Sequence, residues 1–405
     1  MKGVYKVAVI GGGFSGLICA EILSSHFGGD SVLLLEKNDR VGKKILATGN
    51  GRGNVTNVDL SSDKYHSVCG ANVSSVLEKY GNKSIIDYFN GLGVDFSVED
   101  GKVYPSSFQA NSILDMLRLR LDYLGTEINV SSEVKSVRPH GEVFLVATES
   151  ERFFAQSVIF ACGGKAGKQY GTDGTAYKLL TELGHSITEL FPSLVQVKTD
   201  TAKIKGLKGL KQQAEASVLV KGKRIKSFTG DILFTDFGVS GNAIFYLSAY
   251  LPKNQDAEIS ISFLPDKSED EIAGFILRKF NELPYVGVED VLVGVINKLI
   301  GRAIVKDCGQ IAKNEKGARV IASRIKNFRL SVKGTLGFDN AQVTKGGIRS
   351  KEIDFNNMES KIQSGLFVVG EMLDVDGDCG GYNLQWAYSS ARVACDGVIS
   401  KDENR

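Results

Sequence analysis

The six cysteines, Cys19, Cys69, Cys162, Cys308, Cys379 and Cys395, include no CxxC pair. Their scatter argues against a disulfide framework or a zinc site and suits a reduced, cytoplasmic setting. A redox-active dithiol is not expected either. Neither sign of charge is in excess: 49 Lys plus Arg against 47 Asp plus Glu leaves +2. That balance argues against a dominant basic face for nucleic acid or membrane, while leaving room for a local patch. No uninterrupted apolar run reaches about 18 residues, so no transmembrane helix is expected. The stretch Val7–Leu23 is not read as a signal peptide, because it carries three consecutive glycines and Glu21 and lacks a small-residue cleavage site. The four histidines, His26, His66, His140 and His185, are isolated, and no Ser-His-Asp arrangement can be assigned. His185 follows Leu183-Gly184 at an expected helix end, a common capping setting. Repeats and low-complexity segments are absent. With 405 residues, 42% of them apolar, the chain is long enough for two or three domains.

What is present opens with a β–α–β reading. Val7-Ala8-Val9-Ile10 is a short apolar strand, Gly11–Gly16 a turn, and Leu17 to about Ser25 a helix. Ser31–Glu36 (SVLLLE) is a second strand, apolar as in a parallel sheet covered on both faces. The turn carries Gly11-x-Gly13-x-x-Gly16, and Glu36 follows 20 residues after Gly16. Gly11 permits the tight turn, Gly13 lets the backbone approach a pyrophosphate, and Gly16 lets helix and strand pack closely. The helix N-terminus offers free N–H groups and a positive dipole end to phosphate. Glu36 can accept hydrogen bonds from ribose hydroxyls. Alone, Glu36 reads as a solvated acid at a strand end; with the glycines, the strand before, the helix after and the spacing point to a dinucleotide.

That fingerprint does not separate FAD from NAD. Two later strands bear on the choice. Val158–Cys162 ends in Gly163-Gly164, and Gly365–Val369 ends in Gly370-Glu371. Similar strands bracket FAD in the glutathione-reductase superfamily. Only one GxGxxG occurs, so a dedicated second module for NADH or NADPH is missing and either would be a transient donor.

Between these strands the chain changes character. Asn38–Asn57 is a long polar loop rich in glycine, and long loops are often functional. Helices are expected over about Val73–Leu92 and Ala110–Tyr123, and strands near Val143–Thr148, Arg152–Ala155 and Ser157–Cys162. From Phe191-Pro192 to about Pro265 the signals are strands, with clean alternation in Ala257–Phe263. Ser268-Glu269-Asp270-Glu271 then has the form of a capping box, with Ile272, Phe275, Ile276 and Phe280 on one helical face. The expected organisation is an FAD domain in two parts, 1–190 and 336–405, an inserted β domain at 191–267 and a small helical domain at 268–335.

Three stretches carry a more specific resemblance. They are Gly42–Asn54 with Thr56-Asn57, Gly230–Gly241, and Gly370–Ala387, with a smaller match at Ala341–Gly347. Over nearly its whole length the chain resembles the BaiN/RdsA family of bacterial NAD(P)/FAD-dependent oxidoreductases, also known as aminoacetone-oxidase-like flavoproteins. The resemblance implies an α/β fold: a discontinuous Rossmann-type FAD-binding domain of the glutathione-reductase superfamily, an inserted β-barrel-like domain and a small helical domain. Two departures stand out. Gly53 replaces the family's usual cysteine, so a thiol mechanism there is unavailable. Lys165–Gly171 replaces a stretch containing Ser-Tyr-Pro in many relatives, which weakens any inference of substrate from them.

Fingerprint and resemblance together nominate the cofactor contacts. They are Gly11, Gly12, Gly13, Phe14, Ser15 and Gly16, then Glu36 and Lys37 after the second strand. The glycine loop, which the resemblance places beside the isoalloxazine, adds Gly42, Lys44, Asn50, Gly51, Arg52 and Asn54. Val134, Gly163, Gly164, Gly370 and Glu371 follow. The closing helix, expected over Asn383 to about Val398, adds Gly381, Tyr382, Asn383, Leu384 and Gln385. Its N-terminus is expected to face the flavin pyrimidine and stabilise negative charge there. Asn383 either bonds the flavin or caps the helix, and Gln385 is a further candidate to bond the flavin. Arg52 either holds an anionic group, tunes the flavin, or is a surface residue.

Asp374, Asp376 and Asp378 alternate as in a calcium loop, but the twelve-residue pattern is not met and no metal is expected. Tyr104, Tyr170 and Tyr382 are conceivable proton donors or packing residues, and no catalytic residue is singled out. The function expected is hydride transfer between FAD and a small molecule, as a reductase or dehydrogenase acting on a C=C or C–N bond. The alternatives are an amine or amino-acid oxidase making hydrogen peroxide, a flavin-binding sensor with little turnover, and flavin-dependent RNA modification. A small-molecule substrate, with neither nucleic acid nor membrane as partner, is the expectation; the oligomeric state is left open.

Overall fold

The computed structural model describes residues 3–252 and 256–404. The chain divides into two compact units, residues 1–192 with 342–405 and residues 193–341.

The first unit is built on β1 (Tyr5–Ile10), α1 (Phe14–Phe27) and β2 (Val32–Leu35). Parallel pairing joins β1 to β2 on one side and to the strand Arg152–Phe160 on the other. Arg152–Phe160 in turn pairs in parallel with Leu366–Val368. Register puts Leu35, Ile10, Phe160 and Val368 in one row across four strands. The residues that follow each of them, Glu36, Gly11, Ala161 and Val369, therefore emerge at one sheet edge. Both strands of the first β–α–β unit are apolar because both sheet faces are covered. The helix α1 is buried on most sides, so its sequence is apolar almost all round. On one side it meets the closing helix Tyr382–Glu403, where the Cys395 thiol approaches the Cys19 carbonyl at 3.9 Å.

Two local expectations change in the fold. Arg152–Ala155 and Ser157–Phe160 form one continuous strand. Its first half pairs antiparallel with Val143–Ala147 and its second half in parallel with β1, so its patterning switches midway. The helical stretch at 73–92 is two helices, Val73–Lys79 and Asn82–Gly91. The chain breaks at Tyr80, whose carbonyl is taken by Gln385 Nε2 and Ser389 Oγ. Helix Ala110–Tyr123 runs as its period indicates.

The second unit is a closed six-stranded barrel. Its strands are Val197–Thr199, Gly238–Ser240, Lys223–Phe234, Lys211–Val220, Ala257–Ser262 and Phe328–Thr335, in that order around the barrel. Helices Glu269–Glu282, Lys298–Asp307 and Glu315–Lys326 lie between the last two strands in sequence. Their buried Ile276, Ile304 and Ile321 belong to one hydrophobic cluster with Phe234, Ile259 and Phe328 of the barrel. The helices thus share the barrel's core, and 268–335 contributes both helices and the closing strand. Ser268 and Glu271 form a reciprocal capping box. Ile272, Ile276 and Phe280 are buried as the period indicates, while Ala273 is buried and Phe275 stands at the surface. No described helix is long and apolar enough to cross a membrane.

Removing the cap tests the local account. Ser268→Ala should lower the unfolding free energy by about 1 kcal/mol, because the N–H of Glu271 loses its hydroxyl acceptor and the Glu271 carboxylate loses the hydroxyl donor. Urea denaturation of the two proteins measures this.

Candidate cofactor and active site

At the sheet edge the glycine turn packs without side chains. A Cβ on Gly16 would lie 1.8 Å from the Gly11 carbonyl oxygen, so any larger residue would separate turn from helix. Gly13 is the N-cap of α1, and no side chain caps that helix. The Phe14, Ser15 and Gly16 amides of its first turn lack intrahelical acceptors, as in any helix, and offer themselves to an anion. Phe14's ring is packing, stacked on Phe89 with centroids 5.9 Å apart. Ser15 adjoins Gly370: a Cβ there would lie 2.5 Å from Ser15 Oγ.

Glu36 is 7% exposed and accepts from three protein donors. Its Oε2 takes the Gly12 N–H at 2.8 Å, and its Oε1 takes the Asn38 N–H and Nδ2. A carboxylate has about four lone-pair sites, so one is left for a ribose hydroxyl. Gly42 N–H donates to the Gly12 carbonyl, which ties the start of the glycine loop to the fingerprint. Ser132 N–H donates to the Glu36 carbonyl, and Val134 is buried two residues further on. Lys37 is paired with Asp173 at 2.9 Å, part-exposed, and so fastens the segment after Gly163-Gly164.

Lys44 closes a ring of contacts between four distant segments. Its Nζ donates to Glu371 Oε2 at 2.7 Å and to the Ala166 carbonyl at 3.1 Å. Glu371 Oε1 accepts the Thr344 N–H, and the Thr344 hydroxyl oxygen accepts the N–H groups of Lys165 and Ala166. Lys44 retains one of its three N–H donors for an anion. Gly164 lies within this ring: a Cβ there would meet Thr344 Oγ1 at 2.3 Å and Glu371 Oε1 at 2.8 Å. Gly163 lies beside Thr172. Thr344 and Asp173 were not singled out from sequence; only the smaller family match at Ala341–Gly347 touched the first.

A second uncapped helix start lies at Gly381, the N-cap of the closing helix, where φ is +100°. A Cβ there would lie 2.5 Å from the Thr56 carbonyl oxygen and 2.8 Å from Asn54 Oδ1. Asn54 is buried and its Oδ1 has no hydrogen-bond partner in the protein. Gly381, Asn383, Leu384 and Ala387 are part-exposed along this helix start, while Tyr382, Gln385 and Trp386 are buried. Two glycine-started, uncapped helices and an orphaned acceptor fit a bound dinucleotide whose polar atoms complete them.

Several expected contacts are spent inside the fold. Asn383 neither caps the helix nor offers its amide freely: Oδ1 accepts from Gly377 N–H and Nδ2 donates to the Gly377 carbonyl, both at 2.8 Å. Gln385 is fully buried and joins Thr56, Tyr80 and Ser389, so its side chain cannot reach a cofactor. Spacing brought it to the right helix but could not show which way it faces. Tyr382 donates its hydroxyl to the Asp59 carbonyl and packs edge-on against Tyr65. Arg52 pairs with Glu99 and lies over the Tyr104 and Phe108 rings, at 4.2 and 4.6 Å from their centroids. Its charge is therefore shared with a carboxylate that the sequence did not connect to it. Asn50 and Gly51 form an exposed turn tip with positive φ. At Gly53 φ is +75° and a Cβ would lie 2.9 Å from Ala110 Cα, so a cysteine does not fit this backbone. Burial pushes the Cys162 thiol up to about 12, which keeps it from acting as a thiolate. His185 lies between Glu352 and Ser360, a buried polar link away from the fingerprint.

Two substitutions separate cofactor contacts from scaffold. Glu36→Ala should weaken flavin binding by about tenfold or more, since a charge-assisted hydrogen bond contributes about 1.5–3 kcal/mol; flavin fluorescence quenching measures it. Gln385→Ala should cost about 2 kcal/mol of stability by stranding the buried Thr56 hydroxyl and removing one of the two donors to the Tyr80 carbonyl, yet leave the flavin absorption spectrum unchanged.

The HI0933-like protein Rossmann domain family matches residues 5–397. The chain is 32% identical over 401 residues to a 3-dehydro-bile acid delta(4,6)-reductase of Clostridium scindens, covering 96% of this chain and 98% of that protein. It is 30% identical over 411 residues to a ribosomal RNA dihydrouridine synthase of Haemophilus influenzae, covering 97% and 98%. Among solved structures, a 3-ketosteroid-delta4-(5alpha)-dehydrogenase from Rhodococcus jostii RHA1 shares the fold, with a TM-score of 0.50, 16% identity and coverage of 97% and 96%. The cofactor is FAD, and the glycine turn and the two uncapped helix starts are the candidates to hold it. The chain belongs to the HI0933-like Rossmann family, the BaiN/RdsA family, and is an FAD-dependent oxidoreductase.

Proposed function

We propose that this protein reduces a carbon–carbon double bond polarised by a neighbouring carbonyl in a small molecule, with NADH or NADPH as the transient electron donor. The observation that carries the reading is the start of the closing helix, uncapped at Gly381 and flanked by the orphaned Asn54 Oδ1. A helix N-terminus without a protein anion stabilises a bound group that gains negative charge. FAD, when bound, supplies the two-electron hydride chemistry. The chain's own contribution is to bind and orient. Glu36 would hold a ribose, the α1 amides and Lys44 the phosphates, and the Gly381 turn the ring end. A single dinucleotide fingerprint leaves the nicotinamide without a domain of its own, which supports a transient donor. The relatives' names agree in chemistry: one reduces a Δ4,6 system and the other makes dihydrouridine, in each case by adding hydrogen across a ring double bond.

A specific observation favours a second reading, with RNA as substrate. The near-neutral total conceals an uneven distribution. Between Lys198 and Lys226 the chain carries Lys203, Lys205, Lys208, Lys211, Lys221, Lys223 and Arg224 against only Asp200 and Glu215. Ion pairs with Asp307, Asp236 and Asp231 offset Lys203, Lys208 and Lys211, whereas Lys198, Lys205, Lys221 and Lys223 are exposed. That is a basic run in the sequence of the barrel unit, with exposed lysines of the kind phosphate backbones attract.

An anaerobic titration decides the chemistry. NADH or NADPH should bleach the flavin band near ~450 nm, and a conjugated enone such as 4-androstene-3,17-dione should restore it. Bleaching by amines in place of nicotinamides would sink the reading in favour of an oxidase. For the RNA reading, binding to a ribosomal RNA fragment should weaken steeply with salt; no binding at low salt removes it.

A further inference from the structure

Asp374, Asp376 and Asp378 sit within one short stretch before the closing helix, yet the fold treats them differently. Asp374 is fully buried and accepts from Ser67 Oγ and the N–H groups of Val68 and Cys69. Asp378 pairs with His66 Nε2 at 2.8 Å. Asp376 is only 1% exposed, and neither of its carboxyl oxygens has a hydrogen-bond partner. Structural acids in folded proteins are satisfied as Asp374 is, because an unpartnered buried carboxylate is costly.

Its position gives that cost a purpose. The backbone of Asp376-Gly377 pairs with Tyr65-His66. The next residue, Gly377, is clasped through both its N–H and its carbonyl by Asn383 in the first turn of the closing helix. Asp376 therefore adjoins the same uncapped helix start that the orphaned Asn54 Oδ1 flanks. The groups that face it are Lys345 of the strand Val343–Lys345, His66, Asp374 and Asp378. Burial pushes its carboxyl up to about 7; Lys345 and His66 pull it down, and the two neighbouring aspartates push it up. It is thus poised to change protonation near neutral pH.

We infer that Asp376 is the proton store of the flavin site, taking up a proton when the site gains two electrons and giving it to the substrate carbon beside the carbonyl. The inference rests on the reduction proposed above. In that reaction a hydride adds to the carbon β to the carbonyl. The π pair of the double bond moves to the α carbon and forms the bond to the Asp376 proton. Asp376 is left as a carboxylate and regains a proton from solvent.

The test is Asp376→Asn in the FAD-loaded protein, read first without substrate or nicotinamide. The slope of the flavin midpoint potential against pH reports the protons taken up per two electrons. Below about pH 6 Asp376 is already protonated and the two proteins should coincide. Above about pH 7 it is ionised until negative charge arrives and raises its pKa, so wild type should take up as much as one more proton than the variant. Folding supplies a second reading. A carboxyl whose folded pKa is raised destabilises the fold progressively as pH rises from its unfolded to its folded value, so the apo variant should melt above wild type at about pH 8, with the gap narrowing as pH falls and closing toward about pH 4. With 4-androstene-3,17-dione as probe, reoxidation of the flavin should slow about a hundredfold in the variant. Equal proton numbers across the range would overturn the inference. Failure of the enone to reoxidise wild type would overturn the proposed reduction instead, and the proton count would still judge whether Asp376 stores a proton.

Discussion

Everything at the candidate site depends on one row of strand pairing. Leu35, Ile10, Phe160 and Val368 come from four separate parts of the chain and lie side by side in a parallel sheet. Because the strands run in parallel, the segments that follow them leave from the same edge, which is where open α/β sheets bind ligands. The glycine turn, Glu36, the Gly163-Gly164 pair and Gly370-Glu371 meet there for that reason. Lys44 then reinforces the convergence through Glu371, Thr344 and Ala166. The 149 residues of the barrel unit, 193–341, are an excursion from this sheet, and the chain resumes the same fold after it.

The site is marked by what the protein leaves unsatisfied. Several buried polar side chains are fully engaged: Gln385 joins three elements, Asp374 gathers the loop at 67–69, and His185 bridges Glu352 and Ser360. Around the closing helix start, Asn54 Oδ1 and both oxygens of Asp376 go without partners. An uncapped helix and orphaned buried groups cost folding free energy, which a bound cofactor and substrate return when they complete the hydrogen bonds. On the role proposed for Asp376 stability and chemistry are opposed, because a carboxylate satisfied by donors would fold better and would hold its proton less readily near neutral pH.

Much of the fold was legible along the chain because its signals are local. Helix Ala110–Tyr123, the Ser268 capping box and the buried strands of the β–α–β unit follow from period and cap chemistry within a few residues. The glycine fingerprint was legible for the same reason, since close packing at Gly16 leaves no tolerance for a Cβ. Reading failed where a residue's partner lies far away. The helix break at Tyr80 comes from hydrogen bonds with Gln385 and Ser389, some 300 residues on. Charge counted over the whole chain likewise hid the basic run between Lys198 and Lys226.

The sequence by itself determined the nucleotide-binding class, the excursion into strands and helices, and the set of segments from which the site is drawn, because these rest on spacing and hydrophobic period. Only the tertiary structure decided what each side chain in those segments does. Asn383 and Gln385 are two residues apart on one helix, and both are turned to scaffold work by partners on other elements. Arg52 is drawn to Glu99 across a hairpin rather than left for a ligand alone. Three alternating aspartates look equivalent in sequence, but burial and the positions of His66, Ser67 and Cys69 satisfy two of them and leave Asp376 alone without a hydrogen bond. Spacing fixes which residues are near one another along the chain; protonation and contact depend on the donors and dielectric that distant segments bring.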